Sequence, residues 1–178
     1  MLKIDFNDSA AQAVLTKLIK AMQDTRPAMV EIGEDLIELS KRSFETSSSP
    51  SGQRWLPNRP STLIAYLNKF KGNYKKDGRL SKKGAERAIN KKPLIGESRA
   101  LAQQFSYSAT ANSVVVRNSQ VYAAIQQFGG TKAEFPHLWG NIPARPFMPL
   151  DANGTPDAEA QKIVLRIVNL YLQDSLPR

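Results

Sequence analysis

The chain has no cysteine among its 178 residues. Disulfides, thiolate metal sites and cysteine nucleophiles are thereby excluded, in keeping with a reducing compartment. It has a single histidine, His137, so any serine–histidine pair has to use that residue. Long apolar runs are missing too. None approaches the roughly 18 residues that would cross a bilayer, so no membrane partner is expected. The N-terminus MLKIDFNDSA places charges where a signal peptide needs an apolar core, and no export signal is read there.

Motifs for chemistry are equally sparse. G-E-S-R-A (96–100) lacks the closing glycine of a nucleophile elbow and does not follow a strand. DANGTPDAE (151–159) has its glycine too early for an EF-hand loop, and reads as a turn before an acidic helix start. QFGGTK (127–132) lacks the strand–loop–helix order of a phosphate-binding loop; a helix C-cap accounts for Gly129-Gly130. The expectation is a protein that is not an enzyme, with no catalytic residues, no metal site and no cofactor.

What is present is enough apolar residue, 41%, for a folded domain. Leu2, Ile4 and Phe6 alternate with polar residues and suggest a short strand. Asn7, Asp8 and Ser9 are candidate caps for a helix with Val14, Leu15, Leu18, Ile19 and Met22 on one face. From Pro27, residues Met29, Ile32, Leu36, Ile37, Ser40 and Phe44 keep helical spacing. SSSPSGQ (47–53) is a loop, and Ser61 is a candidate cap for a short helix with Leu63, Ile64 and Leu67. A short helix is expected between Gly96 and Gln104. Phe105–Thr110 and Ser113–Asn118 read as a β-hairpin. Ser119 is a candidate cap for a helix through Phe128, and Thr155-Pro156-Asp157 opens the last helix. The expected class is α+β: an antiparallel sheet, made of the hairpin and at least one further strand, packed against helices 8–23, 28–45 and 157–173. Residues 1–178 form one domain.

Charge is unevenly spread. Residues 69–92, KFKGNYKKDGRLSKKGAERAINKK, hold eight lysines and two arginines against Asp77 and Glu86, a balance of +8 out of a net +9. With few large apolar residues, the segment is expected to be a basic, extended and mobile arm that packs poorly as a unit. Lys75, Lys76, Arg79, Lys82 and Lys83 lead it. Three readings stand: a solvated loop, nucleic-acid contact helped by Phe70 and Tyr74, or a dock for an acidic protein surface.

IPARPFMPL (142–150) has prolines at 143, 146 and 149. Period three is that of polyproline II, which would put Ala144, Phe147 and Leu150 on one face and Ile142, Arg145 and Met148 on another. A period-two strand would instead place Arg145 and Phe147 together, at an edge. Either way the prolines restrict the segment before folding. It is expected to be a stiff strap anchored by Phe147 and Leu150. Arg145 pairs with a carboxylate of the fold or reaches a neighbouring subunit.

The order of these blocks resembles the phage virion morphogenesis family of the Mu type, also described as tail completion proteins. A long helix ending at Phe44 leads to Trp55-Leu56-Pro57 and a short helix at Thr62; then come KPLIGESRAL (92–101), VVVRNSQVYAAIQQFGG (114–130) and IPARPFMPL. YA-x-I-x-Q-F-G-G (122–130) and P-A-R-P-F (143–147) carry most of the match, which covers about residues 29–172. Two features depart from the pattern: Glu97-Ser98-Arg99-Ala100-Leu101 replaces a Ser-Gly or Thr-Gly before the leucine, and the 69–92 run is longer and more basic. The resemblance implies a structural virion protein, assembled in the bacterial host cytoplasm, that completes the tail or joins it to the head. It implies a homo-oligomeric ring and partners among tail or head–tail connector proteins. Arg145, Trp139 and Tyr122 are the interface candidates. The alternative is a nucleic-acid-binding accessory protein acting through 69–92.

Overall fold

The computed structural model describes residues 8–151 and 153–176. Helix α1 (Ser9–Gln23) is capped by Asp8, whose Oδ1 accepts from Ala11 N at 3.1 Å. Helix α2 (Arg26–Thr46) has proline in its first turn and stops at Ser47, which adopts the left-handed conformation. Helix α3 (Pro60–Asn68) starts without a side-chain cap bond. Its N-cap residue is Arg59, and Pro60 takes the first helical position with its pre-set φ, so Ser61 lies inside the first turn and is not the cap it was expected to be. Helix α4 (Lys82–Asn90) and the short α5 (Ala100–Gln103) follow. Strands β1 (Phe105–Ala109) and β2 (Val114–Asn118) pair antiparallel with Tyr107 opposite Val116. Helix α6 (Ala123–Phe128) precedes a long loop and the 142–150 strap, and α7 (Ala158–Asp174) ends the fold. Asp157 caps α7 by accepting from Glu159 N and Ala160 N. Ser119 does not cap α6; its hydroxyl bonds Gln104 Oε1 instead, tying the hairpin exit to the end of α5.

The chain is therefore α+β, as the period-two and period-3.6 patterns require. Among the described residues the sheet has two strands, and the expected strand at 2–6 lies outside them. Helix α2 is the axis of the fold, packing on both strands and on α7. Its first half contributes Ala28 and Ile32 to one core with Ile167 of α7. Its last turn contributes Phe44 to a second core with Trp55, Leu101 and Phe147. Asp35 on α2 and Arg166 on α7 form an ion pair across the first core. Tyr171 of α7 donates to the carbonyls of Ala21 and Asp24, which fastens the α1–α2 corner.

The basic segment is a correction. It is not an extended arm: residues 82–90 are helical, and Tyr74 and Leu80 form an antiparallel bridge around a tight turn. Asn73 supplies what the missing apolar residues do not. It is 1% exposed; its Nδ2 donates to the carbonyls of Leu67 and Phe70, and its Oδ1 accepts from Arg87 at 2.9 Å. Its carbonyl accepts from Ser81 N, and Ser81 caps α4 through Gly84 N. A Cβ on Gly84 would lie 2.1 Å from the Asn73 oxygen, so only glycine lets α4 come this close.

Candidate assembly surfaces and the strap junction

The strap meets two other segments at one place, and all three belong to the blocks singled out in the sequence. Phe147 is fully buried, its ring 5.1 Å from Phe44 and 6.0 Å from Phe105. Trp55 packs edge-on against Phe44 and donates its indole N–H to Pro146 O at 2.8 Å. Arg145 answers from the other side: Nε donates to Leu56 O at 2.9 Å and Nη2 to Pro57 O at 3.0 Å. The Trp55-Leu56-Pro57 segment and the strap thus hold each other by reciprocal bonds to backbone carbonyls. A proline-rich strap has few N–H donors, so its carbonyls and those of Leu56 and Pro57 need side-chain donors.

Helix α6 closes the third side. Gln127 is buried, accepts at Oε1 from Phe147 N and Met148 N, and donates from Nε2 to Met148 O. Gly130 and Ile142 exchange both backbone bonds. Gly129 has φ +76°, and a Cβ there would lie 2.7 Å from Ala144 N. Glycine is needed for the turn and for the close approach. The two motif blocks, QFGG and PARPF, therefore fit each other.

Two expectations about the strap are corrected. The buried positions are Arg145, Phe147 and Pro149, while Ala144 is exposed and Leu150 only partly covered. Burial follows period two, the second reading, because alternate side chains of an extended segment share a face and only one face is turned inward. Arg145 pairs with no carboxylate among the described residues. It is 8% exposed and its charge is spread over two carbonyls. Burial, then the nearby Arg59, lower its pKa from the usual arginine value. Hydrogen bonds to an ionised donor contribute about 1.5–3 kcal/mol each, enough to hold a guanidinium there without a counter-ion.

Trp139 and Tyr122 are placed differently from Arg145. Trp139 is 73% exposed and overhangs an open groove of about 730 Å³ lined by Ser61, Thr62, Ala65 and Tyr66. Tyr122 is exposed at the start of α6, next to the fully exposed Val121. Trp139 also lines a smaller cleft with Ile142, Pro143 and Arg145 of the strap. Lys75, Lys76, Arg79, Lys82 and Lys83 are all exposed. Lys75 and Arg79 face each other across the tight turn, Arg79 pairs with Asp77 at 2.7 Å, and Lys82 and Lys83 open α4. Helix α1 shows an apolar stripe: Leu15, Ile19 and Met22 are 58%, 59% and 68% exposed.

Sequence reading missed Gln127 and Asn73 as organisers. Gln127 stood inside a quoted block, whereas nothing in the residues around Asn73 marks it, since two of its partners are carbonyls without sequence signature and the third, Arg87, lies fourteen residues on. Among the described residues no three His, Cys, Asp or Glu side chains are grouped to hold a metal ion, and no helix is long and apolar enough to cross a membrane.

These features define an α+β protein whose ordered polar side chains fasten segments together, with apolar surface left open on its helices. The model of the phage virion morphogenesis family matches residues 6–172, nearly the whole chain, and the chain belongs to that family. No curated protein and no solved structure matches it. Its role is accordingly in phage morphogenesis.

Proposed function

We propose that this chain completes the phage tail or joins it to the head, acting as a ring of identical subunits and catalysing no reaction. It is put together in the host cytoplasm and carried in the virion, in contact with other tail or connector proteins. The α1 stripe carries this reading beyond family membership. Leu15, Ile19 and Met22 sit at i, i+4 and i+7, so they form one line on one face. Covering a large apolar side chain is favourable by roughly 1.5–3 kcal/mol, and a continuous open stripe marks an interaction site. Trp139 and, separately, the Val121-Tyr122 pair expose apolar surface unlike the α1 stripe. Two unlike surfaces are what a head-to-tail interface needs, and such an interface closes into a ring when its rotation allows. Arg145 serves this from within, by holding the strap in place.

Sedimentation velocity over a concentration series, with electron microscopy in the presence and absence of tail tubes, tests the proposal. Rings are expected to form with rising concentration or on tube ends. Leu15→Ser with Ile19→Ser is expected to stay monomeric while melting like the parent. A parent protein that remains monomeric in every condition, tubes included, would overturn the ring.

A further inference from the structure

We propose that the folded module 69–92 docks on the phosphate backbone of duplex DNA without reading its sequence. This goes beyond the ring and does not depend on it. The module is preorganised: buried Asn73, the Ser81 cap and the close approach at Gly84 fix the turn against α4. Its cations divide into two sets. Lys69 pairs with Glu97, Arg79 pairs with Asp77, Arg87 lies 4.6 Å over Phe70 and bonds Asn73, Lys91 lies over Tyr66, and Lys92 bonds the Glu45 carbonyl. Lys71, Lys75, Lys76, Lys82 and Lys83 are exposed and have no ion-pair partner among the described residues.

The chemistry of the free set selects the partner. Protein interfaces are enriched in arginine and aromatic residues and depleted in lysine. Here both arginines have partners within the segment, Arg79 while remaining exposed, and the cations left without an ion-pair or ring partner are all lysines. Lysine is a hydrated point charge, suited to a phosphate and poor at bidentate reading of a base. Single-stranded nucleic acid is held on successive aromatic platforms; Arg87 lies over the Phe70 ring, which leaves Tyr74 as the open ring within residues 69–92. Lys82 and Lys83 also occupy the first turn of α4, where the helix dipole disfavours cations. An anion lying there would reverse that penalty, because the dipole and the lysines then act on it in the same sense.

Fluorescence anisotropy with a labelled duplex of mixed sequence over a KCl series tests the proposal, using the full chain. Lys75, Lys76, Lys82 and Lys83 are all changed to Gln in one variant. In a control, Lys17, Lys20, Lys41 and Lys132, exposed elsewhere, are changed to Gln and lower the net charge equally. The slope of log affinity against log salt is expected to fall by about 3–4 in the module variant and by less than about 1 in the control. A second duplex of unrelated sequence is expected to bind the parent equally. Equal losses in the two variants would reduce the effect to bulk charge and overturn the proposal. So would an unchanged module variant, a strong preference between duplexes, or a module variant that binds DNA normally but fails to assemble; the last would assign the module to an acidic protein surface.

Discussion

Residues 142–150 and 69–92 are the two stretches that ordinary helix and strand patterns do not explain, and the fold secures them by opposite means. The strap is stiff before folding, because three prolines limit its backbone, and it then buries a charge. Arg145 spends that charge on Leu56 O and Pro57 O, while Trp55 returns a bond to Pro146 O. The basic module has no such stiffness. It buries one neutral amide, Asn73, and keeps its free lysines in solvent. The strap is part of the second core through Phe147, whereas the module is attached mainly to α3. A buried group can thus fix an irregular segment either as part of the global core or as a local knot, and the two have different consequences when removed.

The largest effect is expected from breaking the strap. Phe147→Ala removes a fully buried ring at the centre of an aromatic cluster, and the loss is expected to be about 3–5 kcal/mol. That is a large share of a typical stability of about 5–15 kcal/mol, so thermal melts should show early, cooperative unfolding. A melt like the parent's would mean that the strap is not anchored in the global core.

Arg145→Ala comes next. It leaves two carbonyls without their charged donor, and a loss of about 2–3 kcal/mol is expected in urea denaturation of the monomer. Arg145→Lys should not restore it, since one ammonium cannot match a planar fork spanning two carbonyls. Full rescue by lysine would show that charge alone matters.

Asn73→Ala sharpens the contrast. The module is expected to open by itself, at a local cost of roughly 1–2 kcal/mol, leaving the two cores in place. Trypsin should then cut faster within residues 71–83 while the main melting transition hardly moves. A cooperative loss as large as that of Phe147→Ala would make the module part of the global core.

The smallest effect lies at the exit of the strap. Asp151 accepts from the hydroxyl and N–H of Thr155, which lower its pKa, with further help from the N–H groups of Asn153 and Gly154. A lowered folded pKa means that the contribution is complete above the unfolded value of about 3.9 and fades as pH falls through the folded one. Asp151→Asn should therefore lower the melting temperature slightly at neutral pH, and the gap should narrow below about pH 4. A constant gap across that window would assign the effect to shape rather than charge.

The blocks at 55–57, 122–130 and 143–147 stood out through the family resemblance, while local spacing alone determined the α+β class, the three long helices and the hairpin. Those signals are legible because apolar residues recur at 3.6 or 2 along a chain whose own backbone sets the period. The tertiary structure decided the rest. Proline spacing in the strap suggested a threefold pattern of faces, but burial alternates at 145, 147 and 149, since coverage depends on which segments lie on either side. Arg145 found its partners 88 and 89 residues away, on carbonyls that every residue possesses and no side chain advertises. Asn73 likewise turned an apparent basic arm into a folded module through Leu67 O, Phe70 O and Arg87. Backbone acceptors are chemically identical along the chain, so only three-dimensional proximity can choose among them.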